Sequence, residues 1–243
     1  MRRLIFTAAA FGLLTGCVNK AEHEQLQNRV GELEAKIASL ETAAASAPAG
    51  APSAEMEAAA VELYKEIDGL IGAAEFDKAK TKLNELSTKY KGTKAAARAS
   101  RMEREIAVIG KKVSDPEIEK WFVGGESDLS LDDGATLVVF WEVWCPHCKR
   151  EVPKLQQTYD DYKGKMKVVG LTKITKSATD ESVTAFIKDQ GVTYPVGKET
   201  GKASSDFAVS GIPAAAIVKD GEVVWRGHPG KLNNDLIDKL IEG

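Results

Sequence analysis

The sequence has little of several features that would point directly to a function. It contains only three cysteines and three histidines in 243 residues, too few cysteines for a small scaffold held by disulfides. Lys and Arg number 33 against 36 Asp and Glu, so no basic excess is present to neutralise phosphates, and nucleic acid is not expected as a partner. No apolar run reaches the roughly 20 residues that cross a bilayer as a helix. With 43% hydrophobic and 28% charged residues, the chain is expected to be globular.

The first residues have the pattern of a secretory leader. Two arginines precede the apolar stretch 4–14, which is too short to span a membrane. The Leu-Thr-Gly-Cys sequence that ends at Cys17 resembles a bacterial lipobox, in which cleavage leaves the cysteine as a lipidated first residue. The resemblance implies a signal peptide of residues 1–16 and a lipid-anchored envelope protein that faces the periplasm, with Val18 favouring the outer membrane. A secretory signal cleaved elsewhere is the alternative, and it too places the rest where disulfides form.

The next segment, residues 17–43, has a heptad pattern. Apolar residues follow one another at alternating intervals of four and three: Leu26, Val30, Leu33, Ile37 and Leu40. β-Branched residues at the a positions and leucine at d favour a parallel dimer, so a homodimer formed through a coiled-coil stalk is predicted. Because the pattern covers fewer than three heptads, a single amphipathic helix acting as a spacer is the alternative.

Two segments follow before the composition changes. Residues 44–54 are rich in alanine, serine, proline and glycine and are predicted to be a flexible linker. Residues 55–110 carry apolar residues at helical spacing, which predicts three helices. The helix pair that contains residues 76–79 and 90–93 resembles a tetratricopeptide-type hairpin, although such arrays need about three repeats. A small helical spacer or dimerisation module is the alternative.

Residues 113–243 alternate between strand-like and helical runs. The apolar run 136–143 predicts a buried strand, residues 166–171 a second strand, and residues 180–190 a helix. The Asp-Gly pair at 220–221 joins two further strand-like runs and predicts a β-hairpin, and a terminal helix follows. This alternation predicts an α/β layer fold.

The Trp-Cys-Pro-His-Cys sequence 144–148 lies where the buried strand gives way to a helix. Cys145 is expected at the start of that helix, where partial positive charge favours a thiolate. Cys148 is one turn further on, close enough to attack a mixed disulfide. Pro146 suits a first helical turn, and His147 can add positive charge near the first sulfur. A zinc site, which needs about four ligands, is not expected, and a disulfide that closes so short a loop contributes little stability.

This motif, opening a helix after a buried strand, resembles the thioredoxin superfamily. The Gly-Ile-Pro sequence that ends at Pro213 matches the cis-proline loop of that fold, and the sequence 149–153 is similar to the TlpA/ResA-type extracytoplasmic branch. The resemblance implies a thioredoxin-like C-terminal fold and a protein thiol–disulfide oxidoreductase without a metal or cofactor. In it Cys145 attacks, Cys148 resolves, and Ile212 with Pro213 binds the substrate backbone.

Three further residues are candidates for the site. Glu151 lies one turn past the second cysteine and is expected to relay protons to it, or to be an ordinary solvated residue; Val139 stands where thioredoxins have a buried aspartate. His228 lies in a turn that, by the resemblance, is beside the active site, where it would contact substrate or tune the attacking sulfur, or be simply exposed. Trp144 is expected at the rim. Ala214 stands where many relatives have threonine, so a substrate contact there is not carried over.

The resemblance leaves the direction of the redox reaction open. Proline and histidine between the cysteines are typical of DsbA-type oxidants, whereas the TlpA/ResA-type branch includes many reductants. The expected partners are protein thiols or disulfides and a membrane protein that supplies or accepts electrons. The competing function is a non-catalytic envelope adaptor that tethers partners through the stalk and the helical segment. An intact, exchange-competent cysteine pair argues against it.

Overall fold

The computed structural model describes residues 20–45 and 52–242. These residues fall into two units, one formed by the first helix and one that begins at residue 52. In the described ranges no helix is long and apolar enough to cross a membrane. The predicted signal peptide, the lipidation site Cys17 and most of the predicted linker lie outside the described residues.

The first unit is helix α1, Lys20–Ala45, which contains the heptad residues. Leu26, Val30, Leu33 and Ile37 are 50–58% exposed in the single chain. Large apolar side chains repeated at heptad spacing form the kind of seam that a partner helix covers. The structure confirms a helix over the heptad residues. The dimeric coiled coil stays a prediction.

Three helices open the second unit, as the helical spacing predicts. They are α2 (Ala54–Gly72), α3 (Phe76–Lys89) and α4 (Lys94–Ile106), here called the helical module. Ser53 and Thr93 cap α2 and α4, because each side-chain oxygen accepts a hydrogen bond from the backbone N–H three residues on, at 3.1 Å. The apolar faces of the three helices pack into one core. The tetratricopeptide-type hairpin stays a prediction.

The rest of the second unit, here called the sheet domain, is a six-stranded mixed sheet covered on both faces. Its strands are β1 (Ile118–Val123), β2 (Ala135–Trp141), β3 (Met166–Thr172), β4 (Val196–Glu199), β5 (Ala214–Lys219) and β6 (Glu222–Gly227). Its helices are α5 (Pro146–Asp161), α6 (Asp180–Asp189), α7 (Lys202–Asp206) and α8 (Asn234–Glu242). The strand order is β1-β4-β3-β2-β5-β6. The predicted α/β layer fold is confirmed.

Strand β2 lies inside the sheet and explains the long apolar run in the sequence. It pairs parallel with β3 and antiparallel with β5, and each of its residues is buried. Alternate side chains enter two cores: Leu137 and Val139 pack with α5, α6 and α8, whereas Val138 and Phe140 pack with α7. A strand buried on both faces carries no polar alternation.

Three short elements have no clear signal in the sequence, whereas the hairpin lies where the sequence predicts it. Strand β1 is an edge strand with two charged residues, β4 has only four residues and α7 only five, too few to display a period. The hairpin between β5 and β6 turns at Asp220 and Gly221, whose φ angles are 49° and 79°. Such a pair of left-handed residues is what a two-residue hairpin turn requires.

The chain between α4 and β1 adds backbone hydrogen bonds to the outer edge of β6. The N–H of Gly110 donates to the carbonyl of Val223 at 2.8 Å, and the N–H of Val113 donates to the carbonyl of Gly221 at 2.8 Å. The N–H of Val223 in turn donates to the carbonyl of Lys111 at 3.0 Å. Helix α4 also packs against β6. The helical module and the sheet domain are therefore parts of one unit.

Candidate active site

Cys145 occupies the position that the sequence predicts, immediately before the first residue of α5. Its Sγ accepts a hydrogen bond from the backbone N–H of Cys148 at 3.3 Å and so caps the helix. The turn that leads to it is closed by the Cys145 N–H, which donates to the carbonyl of Glu142 at 3.0 Å. Pro146 stands at the first helical position and needs no amide partner there. The sulfur thus lies at the N-terminus of a helix, within reach of a backbone N–H donor.

Cys148 differs from Cys145 in its environment. Both side chains are buried, Cys145 at 3% and Cys148 at 0% exposure, and burial raises the pKa of the Cys148 thiol well above its usual range. The sulfur of Cys145 and the charge of Glu142 raise it further, while a hydrogen bond from the Glu142 backbone acts in the opposite direction. Because thiolates are the nucleophiles in disulfide exchange, the two sulfurs are suited to different steps.

The predicted cis-proline loop faces the cysteine pair. The peptide bond between Ile212 and Pro213 is cis, and the Cys145 thiol lies 3.7 Å from the carbonyl oxygen of Ile212, to which it donates. Pro213 is buried and Ile212 is half-buried. Ala214 follows as the first residue of β5. The loop and the attacking sulfur, far apart in the sequence, thus meet in one place.

Trp144 and Glu142 form the other side of the site, with two residues from the loop after β3. The indole Nε1 of Trp144 donates to Oε2 of Glu142 at 2.7 Å and lies 3.1 Å from Oγ1 of Thr175. The hydroxyl of Thr175 also donates to that Glu142 oxygen. The Nζ atom of Lys176 lies 3.1 Å from the centre of the Trp144 ring, a cation–π contact. Trp144 is therefore held at the rim by contacts to its edge and to its face.

Glu142 is a site residue that the sequence analysis did not identify. Its side chain is 6% exposed, and a carboxylate is rarely buried unless it is hydrogen-bonded. Val139, at the position of the thioredoxin aspartate, lies in the core and carries no charge. The available signal was an acidic residue at the end of an otherwise apolar run that leads to the cysteine pair.

Glu151 and His228 lie near each other, next to the pair in the first turns of α5. Glu151 Oε1 accepts a hydrogen bond from Lys154 at 3.0 Å, and its side chain is 14% exposed. His228 Nδ1 accepts a hydrogen bond from the Gly230 N–H at 3.0 Å. Burial lowers the pKa of His228, and the negative charge of Glu151 opposes that shift. His147 is exposed and lies 2.6 Å from the Arg150 guanidinium through its Nδ1 atom.

Across the described ranges, the side chains form no group of three or more His, Cys, Asp or Glu that would hold a metal ion. The two cysteines of the sheet domain are present as free cysteines. The site places one sulfur at the start of α5 and a second one turn further on.

A Cys-x-x-Cys pair that begins a helix after a buried strand, opposite a cis-proline, defines the thiol–disulfide oxidoreductases of the thioredoxin fold. Residues 109–226 match the model of the AhpC/TSA family. Two similar curated proteins are Sporulation thiol-disulfide oxidoreductase A of Bacillus subtilis, 29% identical over 47% of this chain and 72% of that protein, and Thiol-disulfide oxidoreductase ResA of Halalkalibacterium halodurans, 24% identical over 58% and 79%. Residues 109–226 are therefore similar to the TlpA/ResA-like thiol–disulfide oxidoreductases.

One solved structure that is similar to this chain is the thioredoxin-like superfamily protein SPOA0173. The TM-score is 0.47, with 19% sequence identity, and the match covers 54% of this chain and 94% of that one. Another is StoA from Bacillus subtilis, with a TM-score of 0.41 and 24% identity over 50% and 90%. Both matches span about half of this chain.

Proposed function

We propose that the protein is a lipid-anchored oxidoreductase that exchanges disulfides with proteins of the cell envelope through Cys145 and Cys148. The observation that carries the proposal is the contrast between the two sulfurs. Both sulfurs are buried, but Cys145 is 3% exposed, accepts a backbone N–H at the start of α5 and touches the cis-proline loop, whereas Cys148 is 0% exposed and lies one turn further along the helix. A substrate disulfide would therefore meet Cys145 first.

The exchange proceeds in two steps. The Cys145 thiolate attacks one sulfur of the substrate disulfide, a Cys145–substrate disulfide forms, and the second substrate sulfur leaves as a thiolate that takes a proton from water. Cys148 then loses its proton and attacks the Cys145 sulfur. The internal disulfide forms, the substrate leaves with both of its sulfurs reduced, and two electrons have moved from the protein to the substrate. The reverse sequence oxidises a dithiol.

The second step needs a proton acceptor, because burial keeps Cys148 protonated. Two carboxylates are candidates. Glu142 is buried, is held by Trp144 and Thr175, and acts electrostatically on Cys148. Glu151 follows one turn after Cys148 but pairs with a lysine. We assign the role first to Glu142, and comparing Glu142→Gln with Glu151→Gln in the rate of mixed-disulfide resolution tests the choice.

The direction of electron flow follows from the reduction potential of the pair. Pro146 and His147 resemble the oxidising type of centre, and the TlpA/ResA-like relationship favours the reducing type. Equilibration with glutathione measures the potential. A value near that of DsbA, about −120 mV, marks an oxidant, and one near that of thioredoxin, about −270 mV, marks a reductant.

The proposed location follows from the lipobox-like sequence at Cys17. The lipid would hold the chain on a membrane, with the outer membrane favoured, and a membrane protein would supply or accept the electrons. Cys17→Ser should move the protein from the membrane fraction to the soluble fraction. Recovery of the wild-type chain as a soluble, unlipidated species would contradict the anchor.

Insulin reduction with dithiothreitol tests the catalytic proposal. The wild-type chain should accelerate it, Cys145→Ser should abolish the acceleration, and Cys17→Ser, which removes the cysteine outside the pair, should retain it. The non-catalytic adaptor is not favoured, since a tether does not need a thiol at a helix start opposite a cis-proline. Equal activity of the wild type and Cys145→Ser would restore that alternative.

A further inference from the structure

Helix α4 of the helical module contacts the cis-proline loop directly. The Arg101 guanidinium lies over Gly211, so that a Cβ atom added to Gly211 would collide with it. Arg101 Nε donates to Oε1 of Glu105 at 2.9 Å, and the hydroxyl of Ser210 donates to the same oxygen at 2.9 Å. Ser210 and Gly211 immediately precede Ile212, whose carbonyl accepts from the Cys145 thiol. The module therefore borders the segment that faces the attacking sulfur.

The same face of the module and the turn after β6 enclose a cleft of about 190 Å³. Its walls include Tyr64, Arg98 and Arg101 from the module and His228 and Lys231 from the sheet domain. A cleft lined by two parts of the chain, beside the loop expected to receive substrate, is a place where a bound polypeptide would continue past its reactive cysteine.

Of the arginine and lysine side chains that line the cleft, Arg98 has no carboxylate partner within residues 52–242. Arg101 is paired with Glu105. Lys231 donates to the carboxylate of Asp68 and, at 3.2 Å, to the Asp68 carbonyl. Arg98 is exposed and has no ion pair or hydrogen bond within residues 52–242. Because an exposed guanidinium beside a polar cleft attracts and orients carboxylates, Arg98 can pair with an acidic side chain of a bound polypeptide.

We infer that the helical module forms one wall of the substrate-binding surface and that Arg98 selects protein substrates with an acidic residue close to the cysteine that reacts with Cys145. The inference rests on the proposed function and deepens it by naming the substrate class. The module then binds substrate as well as supporting the fold.

The test uses three peptides that differ only in the residues next to their single cysteine, which are glutamate, glutamine or lysine. The cysteine of each peptide carries thionitrobenzoate in a disulfide. Attack by Cys145 of the reduced full chain joins that sulfur to the peptide and releases thionitrobenzoate, which is coloured. At low salt the acidic peptide should react about two- to fivefold faster than the neutral one, the range of an exposed charge pair, and the basic one slowest. The preference should shrink at high salt.

Two charge reversals on α4 separate the cleft from general surface charge. Arg98→Glu should make the basic peptide the fastest, a gain that misfolding cannot produce. Arg104→Glu, on the same helix but outside the cleft, should keep the wild-type order. Equal rates for all three peptides with the wild type would overturn the inference, as would an unchanged order in Arg98→Glu or a reversed one in Arg104→Glu. Release from none of the peptides by the wild type would instead contradict the proposed function.

Discussion

Replacing Arg226 with methionine should destabilise the fold and loosen the cis-proline loop together. Arg226 lies in β6 and is 1% exposed. Its Nε atom donates to the Phe207 carbonyl at 2.9 Å, and Nη1 donates to the carbonyls of Gly227 at 3.1 Å and Ala215 at 3.4 Å. Phe207 and Ala215 lie on either side of the loop that contains Pro213. One side chain therefore ties the two ends of that loop to the strand beside it.

The expected magnitude follows from those contacts. Methionine keeps the aliphatic part of the side chain but removes the Arg226 donors to three carbonyls, at about 1–3 kcal/mol for each group left unpaired. Part of that loss is offset because a buried guanidinium is itself costly to desolvate; burial correspondingly lowers the pKa of Arg226. The Nη2 atom has no hydrogen-bond partner in the described part of the chain. We expect the free energy of unfolding to fall by about 3 kcal/mol.

Urea denaturation of the reduced full chain measures this change, with Arg104→Met, an exposed arginine on α4, as the matched control. The insulin-reduction rate should fall in Arg226→Met at temperatures where the protein is still folded, because the loop no longer keeps its position opposite Cys145. A loss below about 1 kcal/mol, close to the effect of an ordinary surface substitution, would refute the view that Arg226 anchors the loop.

Three other predictions concern the cysteine pair and the stalk. Cys148→Ser should accumulate mixed disulfides with substrate on non-reducing gels, and Cys145→Ser should accumulate almost none. The free energy of unfolding of the reduced wild type should fall above pH 9, relative to Cys148→Ala, by up to about 1.4 kcal/mol per pH unit. The unfolded chain releases the Cys148 proton near its ordinary pKa of 9.0, while the folded chain retains it. Replacing Val30 and Ile37 with aspartate should make the chain monomeric in sedimentation, because both are exposed heptad residues.

Each of these has a contrary outcome. Equal trapping by both serine variants would reverse or cancel the assignment of the nucleophile. Parallel pH profiles for the wild type and Cys148→Ala would mean that Cys148 titrates alike in both states. A wild-type chain that is already monomeric at all accessible concentrations would reduce the heptads to a spacer.

Local patterns were sufficient to predict most of the sheet domain. The apolar run 136–143 became β2, the Asp-Gly pair at 220–221 became the hairpin turn, and the Cys-Pro-His-Cys sequence begins a helix. Each of these features depends on residues within one element, so its signal survives in a single sequence. The cis-proline loop was found through resemblance to a family and not through periodicity.

The features that the sequence did not reveal depend on contacts between distant residues. In the sequence, Arg226 is a single polar residue at the end of a strand-like run. The Phe207 and Ala215 carbonyls that it binds come close to it only in the folded chain. Glu105 and Ser210 are 105 residues apart, and neither belongs to a motif. Glu142 stands beside a recognisable motif, but its importance depends on Thr175, a loop residue with no periodic signal.

The backbone pairing of residues 110–113 with β6 limits how freely the chain can be divided. Composition suggests a domain boundary near residue 113. Deleting the chain up to and including residue 113 would remove the backbone groups that hydrogen-bond to Val223 and Gly221 on the outer edge of the sheet. An uncovered strand of this kind is a template for pairing with other chains. The isolated sheet domain should therefore be prone to self-association. A chimera in which the helical module is replaced should keep residues 110–113 of the protein that supplies the sheet.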